Sequence, residues 1–100
     1  MNTAYVALGA NLGDPKATVL AAFAALANLP ESRVARCSSL YRTAPVGILS
    51  QPDFVNAVAL LETTLAPDAL LDALLDIEAR FGRIRRERNG PRTLDLDLLL

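Results

Sequence analysis

Arg88-Asn89-Gly90-Pro91-Arg92-Thr93-Leu94-Asp95-Leu96-Asp97 sets a basic segment and a Gly-Pro turn directly before an alternating run, near the end of a 100-residue chain. From Leu94 to Leu98 apolar and acidic residues take turns, which is the period of a strand with one buried face. Leu94, Leu96 and Leu98 then point one way and Asp95 and Asp97 the other, with the aspartate Cα atoms roughly 6.6 Å apart. At that spacing two carboxylates can converge on one hard cation or on a pair of them. A solvated strand face is the plainer explanation, since antiparallel sheets often wet one side. Aspartate is depleted in strands, however, so two on one face call for something that offsets their repulsion. Arg92 enters the strand, and Arg80, Arg83, Arg85, Arg86 and Arg88 lead into the turn before it. Arginines beside a carboxylate pair make a site for a metal-bound polyphosphate.

The bulk composition narrows the alternatives. One hundred residues, 52% of them hydrophobic, are enough for a single domain with a modest core. No apolar run approaches the roughly 20 residues of a transmembrane helix, and the start lacks the basic residues of a signal peptide. The single Cys37 forms no internal disulfide, which fits a reducing, cytoplasmic setting. It is expected as a small buried residue, and the absence of histidine argues against both an activated thiol and a zinc site. The net charge of −1 conceals a cluster: six of the ten basic residues lie between Arg80 and Arg92, against Glu87 alone. Nine of the ten are arginine, the side chain suited to forked contacts with phosphate. A local anion site follows better than general nucleic-acid binding.

The earlier segments supply the rest of the fold. Residues 3–9 form a short apolar strand that stops at Gly9. The loop Gly9–Pro15 places Asp14 as an N-cap and Pro15 in the first helical turn. Its Gly-x-x-x-Gly spacing lacks a complete phosphate-binding pattern, and Asp14 would repel an anion, so a plain turn is expected. Lys16–Asn28 reads as a helix with Val19, Leu20, Phe23, Leu26 and Ala27 on its apolar stripe. Arg33–Tyr41 reads as a second strand. Residues 42–53, with two prolines and Gly47, form a loop long enough to suggest function, and its Val46, Ile48 and Leu49 are suited to closing over a flat ligand. Phe54–Thr63 is a third strand, with Val55, Ala57, Ala59 and Leu61 on one face and Phe54, Asn56, Val58 and Leu60 on the other. An aromatic beside an amide suits a heterocycle, although Phe54 in the core and Asn56 as a strand-end amide is the simpler explanation. Pro67 opens a second helix bearing Leu70, Leu71, Leu74, Ile77, Glu78 and Phe81, and Gly82 ends it. Glu78 falls in or beside the apolar stripe, an unusual place for a carboxylate, and is expected to be partly buried against the following arginines. Arg83–Pro91 reads as a basic loop and Thr93–Leu100 as the fourth strand. The order β-α-β-β-α-β predicts an α+β, ferredoxin-like sandwich: a four-stranded antiparallel sheet with two helices on one face and the other face open to a ligand.

These residues carry a family resemblance. Arg88-x-Gly90-Pro91-Arg92-x-x-Asp95-Leu96-Asp97-Leu98-Leu99 resembles the signature of the 6-hydroxymethyl-7,8-dihydropterin pyrophosphokinases. Tyr5–Gly13, Ser39-x-Tyr41-x-Thr43-x-Pro45-x-Gly47, Gln51-Pro52-Asp53-Phe54-x-Asn56 and Ile77-Glu78-x-x-x-Gly82-Arg83-x-Arg85 resemble further motifs of that family, in the right order. The resemblance implies transfer of pyrophosphate from ATP to the hydroxymethyl group of the pterin, yielding AMP, in folate biosynthesis. It implies that Asp95 and Asp97 hold two Mg²⁺ ions bridging the ATP phosphates. It also implies that Arg83 and Arg92 neutralise phosphate charge and that Glu78 and Arg85 contact ATP. Thr43, Ala44 and Val46 match the loop at the pterin edge, Phe54 the stacking aromatic and Asn56 the hydrogen-bonding amide. The expected partners are ATP and hydroxymethyldihydropterin, with a monomer and with neither nucleic acid nor membrane.

The sequence also departs from the family pattern. Asn89 stands where tryptophan is frequent, Leu75 where glutamine is frequent and Phe54 where tyrosine is common. The family continues beyond the position of Leu100 with a His-Pro segment and further arginines, so the chain reads as a single domain, the N-terminal portion of such an enzyme. A non-enzymatic ferredoxin-like binding module would have no need of the Asp95/Asp97 pair or the arginine cluster. An RNA-binding sheet would need more exposed aromatics than Tyr5, Tyr41 and Phe54.

Overall fold

β-Branched, aromatic and alanine-rich runs become strands, and the two proline-initiated segments become helices. The computed structural model describes residues 1–45, 47, 50–82 and 93–99. In chain order the elements are β1 (Asn2–Ala10), α1 (Pro15–Ala27), β2 (Ser32–Cys37), β3 (Tyr41–Thr43), β4 (Phe54–Thr63), α2 (Pro67–Arg80) and β5 (Asp95–Leu99). The sheet runs β2-β4-β1-β5, with β3 also paired to β4, and every pairing is antiparallel. This is the expected ferredoxin-like α+β sandwich with one change: the second strand is broken in two.

The break has a local cause. The register between β2 and β4 shifts between Val34 and Arg36, leaving Ala35 as an extra residue. A second slip follows, because Cys37 faces Ala59 whereas Tyr41 faces Asn56, four residues against three. Ser38 bridges the gap, its N–H donating to the Val58 carbonyl at 2.8 Å and its Oγ accepting from the Val58 N–H at 2.8 Å. Each extra residue bends the strand and turns the following side chains over.

Alternation sorts the sheet into two faces. Ala4, Val6, Leu8 and Ala10 of β1, Ala57, Ala59 and Leu61 of β4, and Leu94 and Leu96 at β5 are buried on one side. Val19, Ala22 and Leu26 of α1 and Leu70, Leu74 and Ile77 of α2 complete that core. Leu20 and Ala27, expected on the apolar stripe of α1, face outward instead, with Leu20 49% exposed. Between Ala17 and Ala27 the helix holds only alanine, valine, leucine, phenylalanine and threonine, so the sequence offers no polar side to fix its rotation. Leu71 of α2 is likewise exposed. No helix among the described residues is long and apolar enough to cross a membrane.

The helix ends follow the local chemistry. Asp14 Oδ1 accepts the Ala17 N–H at 3.1 Å, Pro15 occupies the first turn, and Gly13 takes a left-handed φ of 64°. Residues 11–14 are thus a turn that caps α1, while Gly9 and Ala10, expected in the loop, belong to β1. At the far end of α2, Gly82 adopts φ 75° and its N–H donates to the Ala79 carbonyl at 3.0 Å, a glycine stop.

Candidate active site on the open face of the sheet

The uncovered face of the sheet carries a row of side chains that the sequence spreads over more than fifty positions. Tyr41 of β3 pairs with Asn56 of β4, Asn56 with Gly9 of β1, and Gly9 with Asp95 of β5. One pleat further on, Val58, Ala7 and Asp97 form the next row. The two aspartates therefore share one face, with Asp97 exposed and Asp95 half-buried, while Leu94 and Leu96 are buried on the other. Gly9 and Ala7 make a low floor between β4 and β5. Adjacent strands lie about 4.8 Å apart, so Asn56 and Asp95 flank a shallow trough on the order of 10 Å across.

Glycine at position 9 has a specific use. A Cβ there would sit 3.2 Å from Asn56 Oδ1 and 3.9 Å from Phe54 Cδ1. The amide and the ring thus lean over the floor that the missing side chain leaves. Asn56 Nδ2 donates to Thr43 Oγ1 at 2.6 Å, which fixes the amide plane and turns Oδ1 toward Gly9. Phe54 is half-buried beside it, and Ala44 is exposed just past the end of β3. Thr43, Ala44, Phe54 and Asn56, which the sequence pattern grouped, are brought to one end of the trough.

Two residues that sequence reasoning left without a role hold this end together. Asn11, only 2% exposed, donates from Nδ2 to Gln51 Oε1 at 2.8 Å and to the Pro52 carbonyl at 3.1 Å. This clasp ties the end of β1 to the loop that enters β4 just before Phe54. A polar residue in each of two glycine- or proline-rich loops was the available signal, and only tertiary contact pairs them.

Glu78 is buried more deeply than the expected partial burial. It is 3% exposed on α2, and its Oε2 accepts the Leu96 N–H of β5 at 2.7 Å. Val46, Arg83, Arg85 and Arg92, together with Ile48 and Leu49, lie outside the described residues.

The donor chemistry of the trough suits a hard cation. Asp95 and Asp97 offer carboxylate oxygens only, and among the described residues no group of three or more His, Cys, Asp or Glu side chains converges. Two carboxylates with room for phosphates and water match the usual coordination of Mg²⁺, which takes one or two protein ligands beside its substrate.

The same face continues into a second, more apolar hollow of about 460 Å³, lined by Tyr5, Arg36, Cys37, Ser38, Val58 and Leu60. Among the described residues its one charged lining side chain is Arg36, and no carboxylate lines it. Cys37, expected in the core, is exposed because β2 lies at the edge of the sheet among the described residues. Partial desolvation raises its thiol pKa, which keeps it a poor nucleophile.

A model of the family described as 7,8-dihydro-6-hydroxymethylpterin-pyrophosphokinase matches residues 5–100, a span that includes Ala7, Gly9, Asn56, Asp95 and Asp97 of the trough. The chain belongs to this pyrophosphokinase family. Among curated relatives, the 2-amino-4-hydroxy-6-hydroxymethyldihydropteridine pyrophosphokinase of Pseudomonas aeruginosa is 55% identical over 96 residues, covering 96% of this chain and 59% of that protein. The Haemophilus influenzae protein of the same name is 50% identical over 100 residues, covering all of this chain and 62% of its own length. That of Bacillus subtilis is 43% identical over 99 residues, covering 99% and 59%. The chain thus spans about three fifths of the length of these three pyrophosphokinases.

Proposed function

We propose that this chain carries the pterin and metal side of an ATP-dependent pyrophosphokinase of folate biosynthesis. The reaction moves the β,γ-pyrophosphoryl group of ATP to 6-hydroxymethyl-7,8-dihydropterin. The hydroxymethyl oxygen forms a bond to the β-phosphorus, the bond from that phosphorus to the α,β-bridging oxygen breaks, AMP leaves with the electron pair, and the hydroxyl proton passes to water. The observation that carries this reading is the trough itself, with Asn56 and Phe54 on one wall, Asp95 and Asp97 on the other, and Gly9 and Ala7 as the floor. Because the relatives are longer, the complete reaction is proposed for a protein with their remaining length as well, and substrate binding for the residues described.

The side chains divide the work. Phe54 offers a face for a flat pteridine, and aromatic contacts of this kind favour offset stacking. Asn56, held by Thr43, presents an amide with both acceptor and donor capacity to the edge of the heterocycle, while Thr43, Ala44 and Val46 border it. Asp95 and Asp97 hold Mg²⁺, which when bound neutralises polyphosphate charge and templates an in-line geometry. Arg83, Arg85 and Arg92 neutralise the phosphates from the segment between α2 and β5, so the transfer rests on positioning and charge rather than on a covalent intermediate.

The test is calorimetric titration of the chain with Mg²⁺ and a non-hydrolysable ATP analogue, followed by a hydroxymethylpterin. Binding of the pterin that depends on the metal-nucleotide, and that is lost in Asp95→Ala and Asp97→Ala, is the expected result. Undiminished metal-nucleotide binding in both variants, with the fold intact, would overturn the metal assignment.

A further inference from the structure

The wall that carries Phe54 stands at the end of a ladder. β1 and β4 pair from Asn2 with Thr63 to Ala10 with Val55, and the register stops there, one residue short of Phe54. On its other side Phe54 pairs with Thr43 of β3, a strand of three residues that among the described residues pairs with β4 alone. Strand ends with few backbone bonds open most readily. Asn11, level with Phe54 when the register is continued, takes over where the ladder ends. Its Nδ2 donates to Gln51 Oε1 at 2.8 Å and to the Pro52 carbonyl at 3.1 Å, and the residue is 2% exposed. An amide NH₂ has two protons, one for each acceptor, and a carbonyl cannot donate, so Asn11 presents its nitrogen here. Gln51 is buried as well. Ordering and desolvating two amides that lie 40 residues apart costs free energy that a plain surface turn does not require.

We infer that Asn11 and Gln51 are positioning residues: their bond extends the β1–β4 junction by side chains and holds the start of β4 so that the Phe54 ring lies over the floor at Gly9. The inference rests on the reading of Phe54 as the stacking face for a pteridine. The ring already approaches that floor closely, with Phe54 Cδ1 3.9 Å from the place a Gly9 Cβ would take. Asn11 follows Gly9 by two residues and Gln51 precedes Phe54 by three, so the bond ties floor to wall over a short span of chain. Both residues hold further interactions, so a substitution at either removes more than their mutual bond. What belongs to the pair is the coupling between the two, and a double-mutant cycle isolates it.

The experiment compares the chain with Asn11→Ala, Gln51→Ala and the double variant, each checked for a native far-UV spectrum. An NMR Overhauser crosspeak between the Gly9 Hα protons and the Phe54 ring reports the placement of the wall without any ligand. Calorimetry gives the affinity for a hydroxymethylpterin in the presence of Mg²⁺ and a non-hydrolysable ATP analogue, and separately the affinity for that metal-nucleotide. Expected are a strong crosspeak in the parent, a weak one in all three variants, and a loss of pterin affinity of about tenfold in each single variant. The double variant should lose no more than the worse single one, with metal-nucleotide affinity near that of the parent throughout. Losses that multiply in the double variant would show that each residue acts through its other partners and would overturn the pair. A crosspeak that survives in the variants, or pterin and nucleotide affinities that fall in parallel, would overturn the positioning role. If Asn11→Ala does not fold, Gln51→Ala decides: a weakened crosspeak with lost pterin affinity supports the inference, and a parent-like value of either overturns it. If the parent binds no pterin while the crosspeak still depends on both amides, the stacking role of Phe54 fails instead. The pair is then a structural contact, and its role in ligand binding is overturned.

Discussion

The two faces of one sheet are built from the same strands and answer to different requirements. On the helix-covered face, β1 and β4 supply alanine, valine and leucine, and α1 and α2 press leucine, valine and isoleucine against them. On the open face, the same strands supply Gly9, Ala7, Asn56 and Phe54, and β5 supplies Asp95 and Asp97. Leu96 is buried while its neighbour on either side turns a carboxylate outward. A one-residue slip of β5 would exchange the two sets, burying charge and exposing leucine, so the core enforces the geometry of the site. The covered face holds the core and the open face carries the candidate site.

Substitutions can break that division or sharpen it. The largest expected effect is on the covered face, where Leu61→Ala at a fully buried position of β4 should cost about 2–5 kcal/mol. Urea unfolding measures it, and a loss below 1 kcal/mol would mean that the core is not the structural half. Next is Asp97→Ala, expected to weaken Mg²⁺-dependent nucleotide binding by about 100-fold, or roughly 2.7 kcal/mol, while leaving the urea midpoint in place. A large fall in stability without a binding defect would reverse the comparison. Gly9→Ala should act more mildly. The new Cβ meets Asn56 Oδ1 at 3.2 Å and must displace the amide by a few tenths of an ångström. About a fivefold loss of pterin affinity by calorimetry is expected, near 1 kcal/mol, with the nucleotide response retained. Smallest is Arg33→Ala, which removes the cross-strand ion pair with Glu62 at the sheet margin. Both partners reach solvent, so the change should stay below about 1 kcal/mol and shrink further as salt is added.

The readable parts of this fold were those in which one local rule dominated. The alternation Leu94-Asp95-Leu96-Asp97-Leu98 placed β5 and both of its faces, and the residues of β4 divided as expected into Ala57, Ala59 and Leu61 inside and Asn56, Val58 and Leu60 outside. The Asp14-Pro15 pair and Gly82 marked the start of α1 and the end of α2. The missed features depend on neighbours. Ala35 and the Ser38–Leu40 segment read as ordinary strand, and only pairing against β4 shows that each introduces a slip. Leu20 looks as apolar as Leu26, and only the position of the sheet decides which is buried.

By itself the sequence determined the α+β order of elements, the inward leucines and outward aspartates of β5, and the motifs that place the chain in its family. These are properties of spacing, and periods of 2 and 3.6 residues can be counted along a chain. The tertiary structure alone decided that Asn11 reaches Gln51, that Gly9 makes the floor beneath Asn56, and that Glu78 turns to the backbone between the two aspartates. Those partners are 40, 47 and 18 residues apart. A side chain carries no mark of the distant hydrogen-bond partner that burial will require of it, and that partner is fixed only when the strands pair and the helices close over them.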